Sequence, residues 1–258
     1  MEKYFEINNN GISIKCKIYC NDIRNVKDVV ISCHGFGGSK ENMASKKLAK
    51  KLMEIQNDIA VIVFDWPCHG KDVRQKLHLS DCNNYLNTLI DFIYSNFSVN
   101  NLYANATSFG GYLLLKYIKE NGNPFRKINL RCPAVNMINV LYDNILTEED
   151  REQLSRGKDV VAGFERKIRI TPELINDLNI NDITKWDYSD IAKDILIIHG
   201  TVDETVPINA VEDFANANSI DFISIEGADH MFKNSAKMNE AIEYSAEFLL
   251  DEGLNQKL

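Results

Sequence analysis

Two runs in this chain, Ile59-Ala60-Val61-Ile62-Val63-Phe64 and Ile195-Leu196-Ile197-Ile198, are apolar without a polar interruption. A strand with one face in water alternates polar and apolar residues. A strand covered on both faces does not, and such strands belong to parallel sheets with helices packed on each side. By contrast, Ile12-Ser13-Ile14-Lys15-Cys16-Lys17-Ile18 alternates, the mark of a half-exposed antiparallel edge strand. Further strand-like runs fall near 3–8, 27–33, 101–106, 127–132 and 220–225, with helix-like segments between most of them. An antiparallel start feeding a parallel βαβ series predicts an α/β fold: a mostly parallel eight-stranded sheet with helices on both faces. At 258 residues the chain suits a single domain of this kind, 1–258.

One interval breaks the alternation. Residues 134–190 span far more than a strand-to-helix loop requires, and insertions of that length are usually functional. They read as a small cap insertion. Thr147-Glu148-Glu149-Asp150 has the form of a capped helix start, and Thr171-Pro172 offers an N-cap threonine followed by proline at the first helical position. Between them, residues 160–170 suit a hairpin or an irregular arm.

The segment Tyr103-Ala104-Asn105-Ala106-Thr107-Ser108-Phe109-Gly110-Gly111 puts one serine between a strand-like run and a helix-like one, with small residues two positions away on each side. This is the form of a nucleophile elbow, which presents a serine hydroxyl on a turn too sharp for bulky neighbours. The same pattern also suits a serine that merely caps a helix. A serine nucleophile needs a base, an acid to orient the base, and donors for the oxyanion. Asp203 lies in the loop after the run 194–199, and His230 in the loop after 220–225. Asp229 is adjacent to His230, and neighbouring side chains seldom face each other, so Asp203 is the preferred acid, with Glu204 a minor alternative. His34 and His69 precede glycine turns and read as hydrogen-bonded structural residues; His78 and His199 also lack the context of a base. The N–H of Phe109, directly after Ser108 and at a helix N-terminus, is placed to meet a developing negative charge.

The order Ser108, Asp203, His230, together with Ser32-Cys33-His34-Gly35-Phe36-Gly37-Gly38, Asp65-Trp66-Pro67-Cys68-His69-Gly70 and Gly227-Ala228-Asp229-His230, resembles the α/β-hydrolase superfamily. The similarity is to its small esterases and serine-aminopeptidase-like members, a group that includes cinnamoyl (feruloyl) esterases and monoglyceride lipases. Two positions depart from the family pattern: Ala106 stands for the first glycine of the elbow, and Cys68 stands where glycine is common. The resemblance implies that Phe36 supplies a second oxyanion N–H and that the cap lies over the serine. On that basis Phe164, Trp186 and Tyr188 are candidates for the substrate pocket, or else form the cap's own small core. It implies a carboxylesterase acting on short-chain or aryl (cinnamoyl-type) esters. The alternatives are an aminopeptidase or amidase using the same three residues, and a non-catalytic ligand-binding protein on the same fold.

Composition bears on partners. A net charge of −8 disfavours a nucleic-acid surface, and the basic cluster Lys46-Lys47, Lys50-Lys51 reads as a solvated helix face. No stretch approaches the ~18 apolar residues of a membrane span, and Met1–Glu6 lacks the apolar body of a signal peptide, so the expectation is a soluble cytoplasmic protein acting on a small-molecule ester, without membrane or nucleic-acid partners. The six cysteines follow no disulfide spacing and are expected as reduced thiols. Cys16 and Cys20, about 13 Å apart along a strand, read as packing residues. No metal-ligand cluster or phosphate-binding glycine motif is evident, so neither metal nor cofactor is expected.

Overall fold

The structure is a computed structural model that describes residues 1–9, 11–72, 76–163 and 166–250. Strands β1 (Glu2–Asn9), β2 (Ile12–Cys20), β3 (Asp28–Cys33), β4 (Ile59–Phe64), β5 (Asn101–Thr107), β6 (Ile128–Arg131), β9 (Ile195–Gly200) and β10 (Asp221–Ile225) form an eight-stranded sheet in the order β1-β2-β4-β3-β5-β6-β9-β10. β1 pairs antiparallel with β2, and β2 with β4; every other neighbour pair is parallel. One sequence expectation is corrected here. The alternating segment β2 is not the edge: β1 covers it, and Ile14, Cys16 and Ile18 are buried.

The continuous apolar runs are explained by two cores. In β4, Ala60, Ile62 and Phe64 join one cluster while Ile59, Val61 and Val63 join the other. The second cluster is closed by α1 (Met43–Ile55) and α8 (Ser235–Leu249), through Leu48, Leu52, Ile242 and Ala246. The first is closed by α2 (Leu79–Asn96), α3 (Phe109–Asn121) and α7 (Ile208–Asn218), through Leu86, Leu89, Leu113, Val211 and Phe214. Each side chain of β4 is therefore buried in one core or the other, away from water. Cys16 and Cys20 both pack in the first cluster. The lysines of α1 pair at the surface, Lys46 with Glu2 and Lys51 with Glu243.

The insertion between β6 and β9 holds α4 (Met137–Val140), a π turn over Leu141–Ile145, α5 (Glu148–Ser155), a hairpin of β7 (Val160–Ala162) and β8 (Ile168–Ile170), and α6 (Pro172–Ile180). Its helix starts follow local rules. Thr147 and Asp150 form a reciprocal capping box, and the Thr171 hydroxyl accepts the Leu174 N–H ahead of Pro172. The hairpin arm reaches the loop after β3: the Arg166 N–H donates to the Gly37 carbonyl at 3.1 Å, and its guanidinium donates to the carbonyls of Gly70 and Asp72.

Candidate active site

Ser108 stands between β5 and α3 with φ 53° and ψ −121°. A residue with a side chain resists that conformation, which costs on the order of 1–3 kcal/mol and persists only where the surroundings over-determine it. They do so here. The Ser108 N–H donates to the Arg131 carbonyl at 3.1 Å, and the Ser108 carbonyl accepts from the N–H groups of Gly111, Tyr112 and Ala134. Helix and strand pass so close that a methyl on Gly110 would lie 2.6 Å from the His34 carbonyl oxygen. Ala106 is fully buried within β5, and its methyl is accommodated in the core. Cys68, the other departure from the glycine pattern, takes φ 68°, the left-handed backbone that glycine favours.

Asp203 and His230 arrive from the C-terminal ends of β9 and β10, as their loop positions predict. His230 Nδ1–H donates to Asp203 Oδ2 at 2.7 Å. The other carboxylate oxygen accepts the N–H groups of Thr205 and Val206, each at 2.8 Å. Burial raises the Asp203 pKa, but hydrogen bonds from His199 and His230, the charge of His230 and the Val206 N–H outweigh it and hold the carboxyl well below the usual range. With Nδ1 as the donor, the remaining ring nitrogen of neutral His230 is a proton acceptor. Asp229 instead accepts the Lys233 N–H at 2.9 Å, and Glu204 is exposed.

Ser108 and His230 line one cavity of about 190 Å³. Gly35 forms part of its wall, and a side chain there would crowd the serine, its first carbon 3.2 Å from Ser108 Cβ. The rings of Phe36 and Phe109 meet edge to face with centroids 5.5 Å apart, and His69 packs against both. This aromatic contact fixes the loop after β3 against the first turn of α3, where the Phe109 N–H lacks an intrahelical acceptor. His34 and His69 are buried and hydrogen-bonded to backbone: His34 Nδ1 to the Gly35 carbonyl, and His69 Nδ1 to the Pro67 carbonyl, each at 2.8 Å.

The pocket candidates from the cap fare differently. Tyr188 is buried away from the cavity, its hydroxyl donating to the Leu115 carbonyl and its ring against Phe214. Trp186 is half-buried against the main core, and neither residue lines the cavity. Both are corrected to packing roles, because the chain from 183 to 194 runs under α3 and α7 on its way to β9. Phe164 lies outside the described residues. The cap's contribution comes instead from Met137, Val140 and Ile145, just after β6. Their sequence signal is weak, a short apolar helix broken by a π turn, but their position directly after a strand end near the elbow is informative.

Cys132 Sγ, an Asp203 oxygen and a His230 ring nitrogen lie within 4.8 Å of one another, a spread that three metal ligands can have. Burial and the neighbouring Asp203 carboxylate push the Cys132 thiol pKa well up. The Asp203–His230 bond uses the ring nitrogen nearest that carboxylate, so the arrangement is that of a hydrogen-bonded cluster.

An eight-stranded sheet with a serine elbow, and with an acid and a histidine at two later strand ends, defines an α/β-hydrolase. The family model described as serine aminopeptidase, S33, matches residues 24–235, and the chain belongs to that family. Among solved structures it is similar to Est1E from Butyrivibrio proteoclasticus with bound ferulic acid, at 20% identity and TM-score 0.77 over 96% of this chain and 98% of that one. It is also similar to a putative hydrolase from Agrobacterium vitis S4 (14% identity, TM-score 0.74, 96% and 98% covered). A third is alpha/beta hydrolase domain-containing protein 10 from mouse (14% identity, TM-score 0.73, 97% and 100% covered). No curated protein sequence matches significantly. Among the described residues no helix is long and apolar enough to cross a membrane.

Proposed function

We propose that this hydrolase is a serine carboxylesterase acting on small esters, short-chain or aryl. His230 takes the Ser108 proton as the oxygen attacks the ester carbonyl, Asp203 holds the imidazole in the accepting tautomer, and the N–H groups of Phe36 and Phe109 receive the oxyanion. The tetrahedral species collapses, and the imidazolium returns its proton to the departing alcohol. Water, deprotonated by the same His230, then attacks the acyl-enzyme and frees Ser108 with the acid product.

The observation that favours an ester over an aminopeptide is the charge of the cavity wall. An aminopeptidase must hold a free α-ammonium group, which calls for a carboxylate in the pocket. The described lining residues include no Asp or Glu, and they do include Arg131. A cavity of about 190 Å³, below the ~300–1,000 Å³ of drug-sized sites, also suits a small acyl group or one ring better than a long lipid chain. The ferulic acid bound to the related fold of Est1E is of that size class.

The test compares kcat/KM for p-nitrophenyl acetate, butyrate and palmitate, methyl ferulate, and alanyl and prolyl arylamides. Faster cleavage of the arylamides moves the protein to the aminopeptidase reading, and a preference for palmitate indicates a lipase-like pocket. Absence of labelling of Ser108 by a fluorophosphonate probe would instead mark a binding protein.

A further inference from the structure

Arg131 ends β6 next to the elbow. It is paired in register with Thr107, and its carbonyl receives the Ser108 N–H. The residue is only 7% exposed, yet it lines the cavity that holds Ser108 and His230. It also borders a second, adjoining pocket walled by Glu41 and Met238, and the contacts of its guanidinium are with uncharged groups. Nη1 meets Met238 Sδ at 3.8 Å, Nη2 meets Thr107 Oγ1 at 3.5 Å, and the group lies 5.1 Å from the centre of the Phe232 ring. Among the described residues no carboxylate comes within ion-pair distance of it. Asp203 and Asp229 act on it only through their longer-range field, and both Asp203 oxygens already accept hydrogen bonds.

A guanidinium carries five N–H donors in a planar fork that matches a carboxylate, and a buried cation with neutral neighbours is costly to keep. Apart from His230, every other described residue of the cavity wall is neutral, in a chain of net charge −8. A packing role would be met better by an apolar side chain in this position, between Met238 and Phe232.

We propose that Arg131 is the anion-binding residue of this site, holding a carboxylate that the ester substrate carries in its acyl or its alcohol part. This rests on the esterase reading and narrows it from small esters in general to half-esters of dicarboxylic acids or acylated hydroxy acids.

Two matched pairs separate the two sources of the carboxylate: monomethyl glutarate against methyl pentanoate for the acyl side, and 4-acetoxybutanoate against butyl acetate for the alcohol side. In the wild-type protein, kcat/KM for the anionic member of one pair should exceed that of its neutral partner by about 10- to 100-fold, the usual worth of a charge-assisted pair. In Arg131→Met the ratio should fall to near one, and Arg131→Lys should retain part of it. Equal or faster turnover of both neutral esters by the wild-type protein overturns the proposal and leaves the esterase reading standing. If no ester is turned over, binding of monomethyl glutarate and 4-acetoxybutanoate to Ser108→Ala by calorimetry decides. Tighter binding of an anion than of its neutral partner, lost in Ser108→Ala/Arg131→Met, supports the anion site alone. Equal or weaker binding of both anions overturns it. Should Arg131→Met not fold, the wild-type ratios and the Ser108→Ala titrations carry the test.

Discussion

His199 and His230 converge on the same oxygen of Asp203, His230 Nδ1 at 2.7 Å and His199 Nε2 at 3.3 Å. His199 Nε2 also reaches the Val206 carbonyl at 3.0 Å. His199 is the penultimate residue of β9 and is fully buried, so it anchors the carboxylate from the sheet side while His230 meets it from the cavity side. The acid is thereby fixed to the strand through one oxygen and to its own loop, through the Thr205 and Val206 N–H groups, by the other.

Ser108→Ala should lower ester kcat/KM by roughly 10⁴–10⁶ while the protein stays folded, because members of such a constellation act as a unit. Asp203→Asn should cost on the order of 10³–10⁴. Glu204→Gln, on an exposed carboxylate, should change little. Steady-state kinetics on p-nitrophenyl butyrate checks all three. A silent Asp203→Asn with an inactive Glu204→Gln would reassign the acid.

The elbow stores strain at Ser108, and glycine relieves it while alanine does not. Ser108→Gly should therefore be inactive yet about 1 kcal/mol more stable than Ser108→Ala, after allowing for the freer unfolded chain. In a chain of this size that is a Tm difference of roughly 2–4 °C, read by calorimetry. A lower Tm for the glycine variant would remove strain from the account.

Acid should destabilise the fold in two stages. Burial holds the His34 pKa down to about 4 and, with the charge of His34 contributing, the His69 pKa down to about 3, from 6.5. Between those values the unfolded chain binds protons that the native one refuses. Stability is then complete above about pH 6.5 and falls as the pH drops toward 4, by on the order of 1 kcal/mol per pH unit for each histidine. The depressed Asp203 carboxyl adds a second loss below about pH 4, where the unfolded aspartate takes up its proton first. Thermal scans from pH 7.5 to 3.5 should show this profile, and His69→Leu should flatten its upper part.

All six cysteines are buried, and none is in a disulfide. In the native protein they should resist a thiol reagent such as dithionitrobenzoate, and denaturant should release six equivalents. Fast native labelling of even one would show that its site opens readily.

Chelators give a further check. EDTA should leave esterase activity unchanged, because the hydrogen bond between Asp203 and His230 requires no ion. Loss of activity that zinc restores, and that Cys132→Ala abolishes, would turn the cluster of Cys132, Asp203 and His230 into a metal site.

Of the main strands, β4 and β9 were legible because buried parallel strands leave continuous apolar runs and β2 because it alternates, and the elbow because Gly110 and Ser108 satisfy local steric rules. Asp203 and His230 were legible for a related reason, since loops after strands gather at one end of a parallel sheet. The pocket wall was not. Met137, Val140 and Ile145 belong to an irregular segment with no period to read, and Tyr188 looks like a pocket aromatic until its hydroxyl is found on the Leu115 carbonyl. Arg131 gives no local sign at all. Its meaning comes from β6 lying beside β5, a neighbour relation made in space by strands more than twenty positions apart.

The bond from the Arg166 N–H to the Gly37 carbonyl ties the hairpin arm to the loop that carries Phe36. On the proposed mechanism that loop receives the oxyanion, so a displacement of the arm would be felt as a pull on the catalytic wall. Met231, 52% exposed, borders the same cavity at the surface, and added bulk at position 231 would narrow the cavity mouth there.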